Sequence, residues 1–214
     1  MKSDSQANKV YLEMRRKILS NQLAPGSRLK EDEWARRTDV SRISVREALN
    51  RLLGEELVVF GEKGGFFIRP MTADDVREIR QMRQILEIGA LRILVQSATT
   101  QNIAELEEIC EDFSSMIRRG YLSGACEADV KFHETLIASA GNKKLISLYQ
   151  VSNIPLFHQK LGQAQSHMDD YELTDKEHRE IVRAIKEGDL AQAETVLNKH
   201  LLRGEAAVLD GVTE

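Results

Sequence analysis

Proline, cysteine and long apolar runs are all scarce in this chain of 214 residues, and each scarcity excludes something. Three prolines and 13 glycines beside 30% charged residues exclude a low-complexity or disordered chain and fit a compact, helix-rich one. The two cysteines, Cys110 and Cys126, are too far apart for a metal finger and read as reduced core thiols. No apolar run approaches the ~18 residues that a membrane-spanning helix needs. The start, MKSDSQANK, is polar and unlike a signal peptide, so a cytoplasmic location with no membrane partner is expected. The length suits one or two domains.

The formal net charge of −4 averages over two unlike parts. Residues 1–70 carry 14 Lys and Arg against 10 Asp and Glu, whereas residues 71–214 carry 16 against 24. A basic part suited to phosphates is therefore joined to an acidic part with another task. Pro70 and Thr72 mark the seam, which predicts domains at 1–70 and 71–214.

Within the basic part, Val45, Leu49, Leu52 and Leu53 recur at helical spacing behind Ser41, a good N-cap. Arg42, Ser44, Arg46, Asn50 and Arg51 stay off that stripe, mostly in the N-terminal half. Such a helix can enter a DNA major groove, and it can equally be an ordinary charged surface helix, since Glu47, Glu55 and Glu56 are also there. Its surroundings favour DNA. Val10–Ser20 and Glu31–Arg37 read as two preceding helices, and Thr38-Asp39-Val40 is a tight turn in which Asp39 must approach positive φ. Leu57–Phe60 and Phe66–Ile68 flank a glycine-rich tip, Gly61 to Gly65, bearing Lys63. Three helices and a hairpin make a winged helix-turn-helix.

Residues 8–70 resemble the GntR superfamily of bacterial transcription regulators in three places: Leu23–Leu29, Val40–Leu49 and Gly64-Gly65-Phe66. The resemblance implies that Ser41, Arg42, Ser44 and Arg46 contact operator DNA and that the wing, with Lys63 and Gly64, enters the minor groove. Asp39 stands where that family usually has glycine, and Ile43-Ser44 replaces a frequent Thr-Pro.

The acidic part reads as helices only, about six, forming an antiparallel all-α bundle. Thr72 with Asp75, and Thr174 with Glu177, look like capping pairs. The stripe of the first bundle helix is Val76, Ile79, Met82, Leu86, Ala90, Ile93 and Leu94. A helix over Ala125–Ala140 stops at Gly141-Asn142, Lys143–Gln165 is helical with a kink at Pro155, and Asp189 caps a last helix that includes Val208.

Four polar residues fall on these stripes, where burial is costly unless they are satisfied. Asp129 and His133 are four apart on one helix face, while His178 and His200 sit on two others. They are either separate buried histidines with hydrogen-bond partners or one metal-binding set. For a set, zinc comes first, and nickel, manganese or iron would also fit. His158 and His167 are the remaining histidines.

Residues 72–210 also resemble the FadR-type helical ligand-binding (FCD) domain. Asp129-x-x-x-His133, Glu177-His178 and His200-Leu201 match its Asp, His, His, His metal pattern. The resemblance implies a divalent metal at Asp129, His133, His178 and His200, with Arg83 holding the carboxylate of a small organic-acid effector beside it. A simple ion pair of Arg83 with Glu87, four residues on, is the plainer alternative. The expectation is a homodimeric, metal- and acid-controlled transcription regulator acting as a repressor, and no enzyme. Direct metal sensing and a helical metalloenzyme are the rival readings.

Overall fold

The computed structural model describes residues 2–20, 22–152, 154 and 168–210, with side chains from residue 6 to residue 206 of that range. These fall into two compact units, one running to Met71 and also counting Ile154, the other made of the remaining residues from Thr72 onward.

The first unit comprises α1 (Lys2–Leu19), β1 (Arg28–Leu29), α2 (Glu31–Thr38), α3 (Arg42–Gly54), β2 (Val58–Phe60) and β3 (Phe66–Ile68). Val10, Met14, Trp34, Val45, Leu49, Leu52, Val58, Phe66 and Ile68 close its core. Burying each of the larger ones contributes roughly 1.5–3 kcal/mol before chain entropy is charged. α1 begins well before the expected Val10. Ala7 is buried one turn ahead of Val10 and Tyr11, but the polar residues around it carry no readable periodicity. Asp39 takes the left-handed conformation, φ 53° and ψ 49°, and its N–H closes α2 on the Ala35 carbonyl. That turn aims α3, whose first turn Ser41 caps by accepting the Ser44 N–H at 3.1 Å. The hairpin forms as expected, Val58 opposite Ile68 and Phe60 opposite Phe66. A third strand, β1, adds to β3 with Leu29 opposite Phe66. Two residues are too few to show an alternation in the sequence.

The second unit is helical: α4 (Ala73–Ser97), α5 (Thr100–Arg118), α6 (Leu122–Ser139), α7 (Lys143–Val151), α8 (Met168–Glu187) and α9 (Leu190–Asp210). α5 packs on α6 and α8, and α9 packs on α4 and α8. Phe113, Phe132, Leu91, Leu94, Leu106, Ile109, Leu136 and Ile181 are fully buried between them. Thr72 and Asp75 form the expected capping box, and Asp189 accepts the Gln192 N–H at the start of α9. The pair Thr174 and Glu177 does not cap a helix. α8 starts at Met168, so both lie inside it: Thr174 bonds back to the Asp170 carbonyl, and Glu177 faces the interior. The buried face of α4 is also rotated from the expected stripe. It includes Glu87, Ile88 and Leu91 and leaves Ile85 and Ile93 exposed. Pro155 with its expected kink, His158 and His167 lie outside the described residues, as does the side chain of Val208.

Candidate functional site

The first unit presents a polar face built from α2, α3 and the hairpin. Arg42 and Arg46 project from the first two turns of α3, and both are exposed. Each meets a carboxylate of α2. Arg46 makes a two-pronged pair with Glu31, Nε–Oε1 at 3.0 Å and Nη2–Oε2 at 3.1 Å. Arg42 Nε lies 3.0 Å from Asp32 Oδ1, with its Nη2 3.7 Å from Glu31 Oε2. Ser41 is exposed, and so is Lys63 at the hairpin tip, where Gly64 and Gly65 hold φ of 84° and 96°. Both φ values lie in the left-handed region, which favours glycine at these two positions. Arg28, Arg42, Arg46, Asn50, Lys63 and Gly64 line one open groove. Ser44 is not on this face. It is 2% exposed, with its hydroxyl 3.0 Å from Ser41 Oγ, because the position belongs to the buried side of α3. In the protein without DNA its hydroxyl supports the Ser41 cap.

The second unit brings Asp129, His133, His178 and His200 together. One donor atom from each lies within 4.8 Å of all the others, and all four residues are buried. The Nε2 atoms of His178, His133 and His200 stand 3.3, 3.8 and 3.9 Å from Asp129 Oδ1. His178 is held flat against Phe132, ring centroids 3.9 Å apart.

The ring orientations of His133 and His200 are fixed from behind. His133 Nδ1 lies 2.7 Å from Glu87 Oε2, and His200 Nδ1 lies 2.9 Å from Glu177 Oε2. Burial alone would raise both carboxyls. For Glu87 the charge of Arg83 and the bond from His133 outweigh it and hold the carboxyl well below the usual range. For Glu177 the bonds from His200 and Arg203 bring it down to about 2. Both glutamates are therefore acceptors, so each Nδ1 donates to a carboxylate and each ring turns its Nε2 toward Asp129. Burial, with the neighbouring imidazoles, lowers His200 to about 3 and keeps it neutral. The two Nε2 atoms stand 3.1 Å apart. Two ring nitrogens at that distance need a proton or a cation between them, and with the Asp129 carboxylate and His178 Nε2 also at hand these residues fit a divalent metal.

Arg83 is half-buried and its Nε donates to Glu87 Oε1 at 2.7 Å, while Tyr149 Oη donates to the same oxygen at 2.8 Å. The i, i+4 pair is present, but it is no surface pair: Glu87 is fully buried and its other oxygen takes His133. The sequence marks Glu87 only as a partner of Arg83, and Tyr149 and Arg203 carry no sequence signal for the site. The available signal was Glu87 preceding Ala90, Leu91 and Leu94 at i+3, i+4 and i+7, a carboxylate on an apolar face.

Comparisons with known proteins agree with this layout. The profile of the FCD domain matches residues 78–203, and that of the bacterial regulatory proteins, gntR family, matches residues 6–68. An uncharacterized HTH-type transcriptional regulator, YdhC of Bacillus subtilis, is 29% identical over 82% of this chain and 79% of its own. The gluconate operon transcriptional repressor of Bacillus licheniformis is 24% identical over 85% of this chain and 76% of its own. Among solved structures, McbR/YncC of E. coli shares the fold with a TM-score of 0.85, at 20% identity, over 96% of this chain and 98% of that one.

Proposed function

This chain belongs to the gntR family of bacterial regulatory proteins and carries an FCD domain, which makes it a DNA-binding transcription regulator, and from that premise we propose how it is controlled. Asp129, His133, His178 and His200 hold a divalent metal ion, and a small organic acid bound beside it sets operator affinity. The observation that carries this reading is the Nε2–Nε2 separation of 3.1 Å between two histidines whose Nδ1 atoms are committed to glutamates. A bound ion would supply a fixed positive charge there, able to take one oxygen of a carboxylate.

Arg83 binds the acid's carboxylate with the guanidinium N–H groups that Glu87 does not use. Glu87 and Glu177 keep the His133 and His200 rings aimed, and Phe132 keeps His178 in plane. The gluconate operon repressor among the relatives supports an organic acid as the effector class and repression as the mode. On the DNA side, Arg42 and Arg46 read bases, Ser41 meets the backbone, and Lys63 with Gly64 enters the adjacent minor groove. Two copies bind a palindromic operator. Ile85 on α4 and Leu148 and Val151 on α7 leave apolar side chains exposed in the unit that would pair.

Protein purified without chelator and assayed for metal, alongside operator titrations with candidate acids, tests the reading. Arg83→Ala loses the acid response but keeps its metal and acid-free operator binding, whereas His178→Ala loses metal and response together. A parent protein that contains no metal and responds fully to an acid overturns it. Operator binding that follows the free metal level with no acid added makes the ion itself the signal.

A further inference from the structure

Ile43 is the most exposed large apolar side chain among the described residues, at 80%, and it stands at the second position of α3. Its surroundings are polar. Arg42 precedes it, and Arg46 and Asn50 follow at i+3 and i+7, so Ile43, Arg46 and Asn50 form one exposed stripe along the helix. The opposite side of α3 is spent on the core through Val45, Ala48, Leu49 and Leu52. Ile43 therefore contributes nothing to the packing of its own unit.

The N-terminal half of such a helix lies against base edges in the major groove. Those edges offer donors, acceptors and one apolar group, the C5-methyl of thymine. An arginine has its match in guanine O6 and N7, and an asparagine in adenine N6 and N7. An isoleucine between them has its match only in the methyl. We propose that Ile43 is a specificity-determining residue that packs on the C5-methyl of one thymine in each operator half-site. This rests on the DNA-reading face described under Proposed function. It adds a contact that discriminates thymine from cytosine without a hydrogen bond.

Thymine and uracil differ by that methyl alone, which gives the test. Duplexes are selected with the full-length protein from a randomised pool, and each thymine of the recovered sequence is replaced singly by uracil. The parent loses about fourfold in affinity at one symmetry-related thymine per half-site, the worth of one buried methyl. Ile43→Ser binds the thymine and uracil duplexes equally there, and other thymines are silent in both proteins. A parent indifferent to every single replacement overturns the proposal whatever the variant does. So does an Ile43→Ser protein that keeps the parent's methyl dependence. Arg46→Ala on the same duplexes separates the layers: methyl indifference with intact dependence on Arg46 removes only Ile43, whereas indifference to Arg46 removes the reading face and Ile43 with it.

Discussion

Arg46 is gripped by Glu31 of the preceding helix through two parallel hydrogen bonds of 3.0 and 3.1 Å. The pair fixes the plane of an exposed guanidinium before DNA arrives, and it cancels a charge that would otherwise attract any phosphate. Glu31→Gln should therefore raise affinity for unrelated duplex and narrow the ratio of operator to non-operator binding. Arg42→Ala or Arg46→Ala should cost about 1–3 kcal/mol on the operator. Lys63→Ala should cost less and flatten the salt dependence. Anisotropy titrations at two salt concentrations check all four, and equal losses on operator and random DNA would reduce the arginines to phosphate contacts.

Chelation should lower the melting temperature of the helical unit. An ion held only by the native state adds about 4 kcal/mol when present at a thousandfold its dissociation constant, and a chelator removes that increment. Removing the ion also leaves His133 Nε2 and His200 Nε2 3.1 Å apart beside Asp129 with no metal to hold them. Differential scanning calorimetry with and without excess chelator reads the shift, and coincident curves would argue for no bound ion.

Acid should destabilise the metal-free protein over a defined range. His200 titrates near 6.5 when unfolded and at about 3 when folded, so between those values the unfolded chain holds the extra proton. Glu177 acts in the same direction from about 4.5 down to about 2. Stability is thus full above pH 6.5 and falls as pH drops, by up to about 1.4 kcal/mol per pH unit for each proton. Urea midpoints of chelated protein between pH 7 and 5 test this, and a flat profile would show that His200 charges without cost.

Asp39 offers a stability test independent of function. A non-glycine residue in the left-handed region costs roughly 1 kcal/mol, and the φ of Asp39 is 53°. Asp39→Gly should raise the stability of the first unit by about 0.5–1 kcal/mol, and Asp39→Val should lower it. Denaturant unfolding decides, and a loss on going to glycine would mean that the Asp39 carboxylate earns its place by a bond of its own.

Much of this was legible in the chain because periodicity reports what is buried. Val45, Leu49 and Leu52 behind Ser41 announced α3, and three histidines and an aspartate on apolar stripes announced the four donors. What the stripes did not show was phase and partnership. On α4 an excess of apolar residues allowed two faces, so Ile93 was placed inward and Glu87 was not. Thr174 and Glu177 have the spacing of a cap, but hydrogen bonds from Arg203 on another helix keep both occupied in mid-helix. Glu31 and Arg46 are 15 residues apart on separate helices, a pairing no local pattern encodes. Ser44 looked available because serine is polar, and only the packing of α3 shows it turned inward.

The donors of the buried cluster come from α6, α8 and α9, whereas the winged unit is complete by β3. During synthesis the first unit, with its own core, leaves the ribosome long before His200 is made. A chain cut short by a premature stop or a protease before that residue would keep the whole core of the first unit and lack one donor of the buried cluster. Such a fragment would be a folded winged unit without a complete helical partner, so a truncation there separates the two halves of the chain rather than unfolding both.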